Sequence, residues 1–178
     1  PDLAAEMYEI ANNMLSKSGF ECYEISNFYK KDEQFDFRCQ HNLQYWRNQP
    51  YIGVGAGAHG YINQARYENV GGIGEYIHLL KNSSNMEQMQ SPVIKNFVNN
   101  NSIIEMQETM MVGLRLVTEG VSIQNFQNRF GVSPLIVFKN QIELLQKQKL
   151  LEIIDEDIIR LTQYGRLLGN QVFLQFVD

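Results

Sequence analysis

Glycine recurs at every second position in Tyr51-Ile52-Gly53-Val54-Gly55-Ala56-Gly57-Ala58-His59, and no other stretch restricts the packing of this chain so tightly. The apolar lead-in predicts a strand from Tyr51 to Val54 that runs into residues too small to fill a core. Small side chains let something lie directly against the backbone. That something is either a ligand or a neighbouring segment of chain, and spacing alone leaves both open. A dinucleotide fingerprint does not fit, because no helix follows GVGAG directly and no acidic residue ends a second strand of a βαβ unit.

Just upstream, His41, Asn42, Gln44, Tyr45 and Trp46 crowd together. On a helix, His41 shares a face with Tyr45 and Asn42 with Trp46, so each pair would line one wall of a pocket. The plainer reading is that the histidine is a hydrogen-bonded structural residue and the aromatics only close the end of a fold.

The rest of the chain reads as alternating helices and strands. Asp2 is placed to cap a helix with Leu3, Met7, Ile10, Met14 and Leu15 at helical spacing and Gly19 as its stop. Phe20 to Ile25 reads as a strand and Asn27 to Gln40 as irregular; helix followed by strand suggests a parallel αβ unit. Tyr61-Ile62 and Arg66-Tyr67 flank Asn63-Gln64 as a small hairpin, with a helix from Ile73 to Leu80 after it. Polar stretches at Asn82 to Gln90 and Asn99 to Ser102 mark a boundary, giving units of residues 1–90 and 91–178. In the second unit a helix from Ile103 ends near Gly120. Ser122 caps a short helix stopped by Gly131, and Ser133-Pro134 opens a third through Phe138, Ile142 and Leu145. Strands Leu150 to Ile154 and Ile158 to Leu161 surround Asp155-Glu156-Asp157, and a last helix begins near Thr162 with Leu167, Leu168 and Val172 on its apolar face. Three helices and a hairpin spell a winged-helix-like unit.

A winged helix invites a DNA-binding reading. The charges argue against it: Lys139, Lys147 and Lys149 share their helix with Glu143, and the wing is tipped by three acids where phosphate contacts want Lys or Arg. The net charge of -5 supplies no broad basic field for nucleic acid. Hydrophobic content of 44% with 20% charged residues is that of a folded protein. No apolar run approaches the roughly 18 to 20 residues of a membrane span, and no signal-peptide pattern opens the chain, so the expectation is cytoplasmic. Cys22 and Cys39 are expected to be reduced thiols.

The chain resembles the radical S-adenosylmethionine proteins of the oxygen-independent coproporphyrinogen III oxidase type, above all their haem-chaperone branch. Tyr23-Glu24-Ile25-Ser26-Asn27-Phe28, then the HNxxYW motif of His41 to Trp46, then the glycine-rich stretch to His59 stand in that family's order. Leu161-Thr162, Gly165, Leu168, Asn170 and Val172 resemble its closing motif, so the likeness covers nearly the whole chain. The oxidase branch replaces the tyrosine-tryptophan pair that Tyr45 and Trp46 keep here.

The resemblance implies the last strands and helices of a partial (β/α) barrel over residues 1–90, then the winged-helix-like module. It implies haem binding by His41, Asn42, Tyr45 and Trp46, with His41 the ligand to haem iron and His59 the next candidate, imidazole being a common axial ligand. It places Gln44, Gly53, Gly55, Ala56 and Gly57 at an S-adenosylmethionine pocket. The partners implied are haem or porphyrin and haem-acceptor proteins, with a homodimer left open, and with no nucleic acid and no membrane span. No catalytic residue is assigned. The family's CxxxCxxC loop, which holds a 4Fe-4S cluster, is missing. The chain also opens on Pro1 rather than Met, so the expectation is a carboxyl-terminal piece whose full-length form carries the cluster. The alternative function is the oxidase itself, with a nucleic-acid binder the remotest.

Overall fold

A computed structural model describes residues 2–83 and 91–177, apart from the Asp2 side chain. The expected cap at Asp2 and most of the polar stretch to Gln90, with the boundary placed there, lie outside what is described. The chain packs as two units: the residues up to Asn48 together with those from Met106 onward, and Gln49–Glu105.

In the first unit, helix α1 (Asp2–Lys17) precedes strand β1 (Phe20–Glu24), and Gly19 supplies the positive φ of 81° that turns one into the other. The apolar residues Leu3, Met7, Ile10 and Met14 of α1 are exposed, whereas Tyr8 faces inward and its hydroxyl donates to the Ile25 carbonyl at 3.1 Å. β1 does not enter the parallel αβ unit expected of it among the described residues. It pairs antiparallel with β2 (Asn27–Lys30), inside a segment expected to be irregular. The reason is local. The Glu24 carboxylate accepts from the Ser26 amide and the Asn27 side chain, which folds the chain back after two residues. Only the stretch from Lys31 to Cys39 stays irregular before helix α2 (Gln40–Trp46).

The second unit is an antiparallel sheet of order β3-β4-β5, formed by β3 (His59–Ile62), β4 (Ala65–Asn69) and β5 (Ile94–Asn99), with helix α3 (Ile73–Asn82). Asn63 and Gln64 both take positive φ, 50° and 62°, the geometry of a tight hairpin turn. The strand expected from Tyr51 to Val54 does not form. Tyr51 alone makes a bridge, to Tyr61, and Ile52 and Val54 are exposed. The reason is Gly53, whose backbone is held by Tyr67 rather than by a ladder, as described below. Strand β5 escaped the sequence reading because Asn96 and Asn99 break its apolar pattern.

Helix α4 (Ser102–Gly113) ends earlier than the expected Gly120. At Gly113 a Cβ would stand 2.7 Å from Val121, so the chain closes onto that residue and turns, carrying Leu114, Leu116 and Val117 into the core without a helix. From here the first unit resumes. Strand β6 (Val121–Ser122) and helix α5 (Ile123–Phe130) meet at Ser122, whose hydroxyl accepts from the Asn125 amide, and Gly131 closes the helix at φ 74°. The expected third helix is broken into α6 (Pro134–Val137) and α7 (Lys139–Lys147). Phe138 leaves helical geometry at the break to stack edge-on against Phe126 and Phe176.

Strands β7 (Leu151–Ile154) and β8 (Ile158–Leu161) form the expected hairpin about Asp155 and Glu156, both at positive φ, and β6 joins to give the order β6-β8-β7. The acidic tip has internal work, since Asp157 accepts from the Ser122 hydroxyl and the Gln124 amide at the start of α5. Thr162 caps α8 (Gln163–Leu167), and α9 (Gly169–Phe173) follows after a break at Leu168. Met110, Leu114, Ile142, Leu145, Ile159 and Val172 sit at the centre of this unit's core. The architecture is mixed α and β. No helix among the described residues is long and apolar enough to cross a membrane.

Candidate functional site

Two neighbourhoods carry the residues singled out from sequence, one in each unit. The first is α2. Its buried side chain Leu43 is 1% exposed and packs with Tyr23 and Leu116, and Trp46 packs against the same cluster, which fixes the rotation of the helix. His41 is thereby left at the surface, and Tyr45, one turn on, meets it edge-to-face with ring centroids 4.8 Å apart. The i, i+4 pairing expected of His41 and Tyr45 is thus seen as a ring contact. Asn42 and Gln44 are half-buried.

Trp46 is held differently. The Arg115 guanidinium lies 4.4 Å over its ring, and the same guanidinium donates to Glu24 at 2.7 Å. Glu24 is fully buried, so one carboxylate ties the β1–β2 turn, the end of α4 and, through Arg115, the indole of α2. One face of Trp46 is therefore covered by protein.

The end of α2 is fixed as firmly. Arg47 makes a bidentate pair with Glu119, both bonds 2.7 Å, and the carboxylate raises the guanidinium pKa above its ordinary value. Buried Asn48, at φ 47°, donates to Thr109 and accepts from Arg129. Sequence reading missed Arg115, Arg47 and Arg129. No local pattern pointed to them, because Arg115 and Arg129 lie far along the chain from the helix they hold.

The second neighbourhood is the glycine loop. A Cβ at Gly53 would stand 2.0 Å from the His59 carbonyl oxygen, so this glycine is required by backbone packing. Gly60 is small for a related reason: the Tyr67 ring occupies its Cβ position, and the Tyr67 hydroxyl accepts from the Gly53 amide at 2.8 Å. Asn69, buried, donates to the Gly55 carbonyl at 2.9 Å, and the Gly55 amide donates to the Tyr76 hydroxyl.

Gly55 and Gly57 are different from Gly53. They stand at φ 110° and 69°, a Cβ at Gly55 meets nothing within 4 Å, and one at Gly57 meets only the Gly71 Cα at 3.8 Å. The space on the Cβ side of these two is open, with half-buried Ala56 between, although the Gly55 amide and carbonyl and the Gly57 amide already have partners; the Cβ side of Gly53 is filled by the chain itself. His59 is exposed and sits opposite Glu68 in the β3–β4 ladder.

The residues present do not fit a 4Fe-4S cluster. The chain has two cysteines. Cys22 is half-buried, its thiol donating to the Glu24 carbonyl and pushed up in pKa by burial, while Cys39 is exposed. Among the described residues no three of His, Cys, Asp and Glu gather as a metal site.

Residues 103–168 match the HemN C-terminal domain. The chain is 36% identical over 176 residues to the protein named heme chaperone HemW of Lactococcus lactis, a match covering 99% of this chain and 42% of that one. To the heme chaperone HemW of Bacillus subtilis it is 37% identical over 173 residues, covering 97% and 42%. The chain thus spans less than half the length of these curated relatives. Among solved structures, coproporphyrinogen III oxidase (HemN) from Escherichia coli, described as a radical SAM enzyme, shares the fold. The TM-score is 0.67 at 15% identity, over 94% of this chain and 39% of that one. By its HemN C-terminal domain match and its likeness to the HemW proteins along almost its entire length, the chain is related to the HemW proteins.

Proposed function

We propose that this chain is the carboxyl-terminal part of a HemW-like haem chaperone, which binds haem and passes it to acceptor apoproteins. The observation that carries the reading is the exposed imidazole of His41, backed by Tyr45 on a helix whose rotation is locked, in a chain so similar to proteins named heme chaperones. A chaperone must release its cargo. A ligand at the surface suits exchange better than one sealed in a pocket, where departure would require the protein to open.

In this reading His41 ligates the haem iron, and Tyr45 with Asn42 and the half-buried Trp46 lines the approach. Residues 1–90 are the last portion of a partial barrel and 91–178 its winged-helix-like module, at home in the cytoplasm. The backbone at Gly55, Ala56 and Gly57 contributes to an S-adenosylmethionine pocket in the full-length protein, whose 4Fe-4S ligands lie outside these residues.

The test is transfer. Full-length protein, reconstituted anaerobically and loaded with haem, is expected to restore the absorption spectrum of an apo-haemoprotein mixed with it, and to leave coproporphyrinogen III unchanged. Decarboxylation of coproporphyrinogen III without haem transfer would instead identify an oxidase.

A further inference from the structure

The loop leading into α2 carries two phenylalanines that no part of the core uses. Phe35 is 63% exposed and Phe37 58%, and their rings touch, with centroids 6.0 Å apart and planes inclined by 40°. Single exposed apolar residues are ordinary on a protein surface, but two in contact make a preformed apolar face.

This loop is not slack. The Asp32 carboxylate accepts from the amides of Gln34 and Phe35 at 2.8 and 3.0 Å. Asp36 accepts from the Arg38 amide at 3.0 Å and from the Arg38 guanidinium at 2.8 and 2.7 Å, and the arginine holds that carboxyl far below the usual carboxylate range. Arg38 also reaches Glu119, the residue paired with Arg47 at the end of α2. Gln40, the first residue of α2, donates to Asp36 at 3.3 Å. The two rings and the His41 helix are thus tied together at both ends. Phe37 is four residues from His41, a span of at most about 14 Å.

Size narrows what such a face receives. Each ring side chain offers on the order of 100 Å² at this exposure, since a whole buried aromatic accounts for about 150–250 Å². The pair falls far short of the roughly 800 Å² per partner of a stable protein contact. It does match part of one face of a planar macrocycle, and the polar recess of ≈ 380 Å³ that adjoins Phe35 but not Phe37, with Asp32, Glu33 and Asp36 beside Tyr29 and Arg38, leaves the outer faces of the two rings as the apolar surface.

We propose that Phe35 and Phe37 form an apolar platform for the porphyrin of haem beside its ligand His41. The inference rests on the haem-binding reading above and adds the residues that grip the macrocycle rather than the iron. The experiment is a haemin titration of the full-length protein against the variants F35S/F37S and F35Y/F37Y. The serine pair is expected to weaken binding at least tenfold with the Soret maximum of the bound form unmoved, because coordination is intact, and the tyrosine pair to restore it, because flat surface is restored.

Both positions are exposed, so the thermal melts should coincide with wild type. Serine and wild-type proteins of equal affinity would overturn the platform while leaving haem binding standing. A serine variant whose Soret maximum moves would also overturn it, by placing these residues at the iron. A wild-type protein that binds no haem would overturn both readings together.

Discussion

Glu24→Ala is expected to destabilise the protein by about 3–5 kcal/mol, the range for removing one partner of a buried ion pair. The substitution strips Arg115 of its carboxylate and leaves the Ser26 amide and the Asn27 side chain without their acceptor, in a place where Glu24 is fully buried. Such a loss is a large share of a typical folding free energy of about 5–15 kcal/mol. The urea midpoint measures it. Trp46 provides a second readout as the only tryptophan in the chain: its emission should shift to the red as the Arg115 stack opens. A variant with wild-type stability would remove Glu24 from the centre of this site.

Gly53→Ala is the second large effect. A methyl group 2.0 Å from the His59 carbonyl oxygen forces backbone apart, and the expected cost is about 3 kcal/mol, the upper part of the overpacking range. Gly55→Ala, two residues on, meets open space and pays only for a backbone conformation that side chains dislike, about 1 kcal/mol. Denaturant unfolding of the two variants should separate them clearly, and equal costs would contradict the assignment of packing to one glycine and openness to the other. If the proposed cofactor pocket lies here, calorimetry on the full-length protein is expected to show weakened S-adenosylmethionine binding in Gly55→Ala, and unchanged binding would contradict it.

These glycines show how the sequence was legible and where it was not. Their spacing announced close backbone approach without saying by what. The structure divides the answer: chain against Gly53, open space at Gly55 and Gly57. The strand expected at Tyr51 to Val54 failed because β-branched residues and alternation describe a pleated strand and an exposed loop equally well when the partner is unknown. Turn chemistry was more reliable. Asn63-Gln64, Asp155-Glu156, Ser122, Gly131 and Ser133-Pro134 all appear where their backbone preferences put them, because those preferences act within a few residues. Helix ends set by distant partners were not readable: α4 stops at Gly113 because of Val121, and the third helix breaks because Phe138 is needed in the core.

At the candidate haem site, helical spacing placed His41 beside Tyr45 correctly. It could not reveal that Trp46 lies beneath Arg115, since the contact joins residues far apart in the chain. An amphipathic pattern likewise predicts which residues of α1 share a face, but not whether that face is covered. Leu3, Met7, Ile10 and Met14 share one and it is exposed.

Haem titration of full-length His41→Ala beside wild type tests the central claim most directly. His41 is exposed and supports no core packing, so the variant should fold normally. Wild type is expected to develop a Soret band that saturates with added haem, and the variant to show a shifted or much weakened band. Identical spectra and affinities in the two proteins would contradict His41 as the ligand to haem iron.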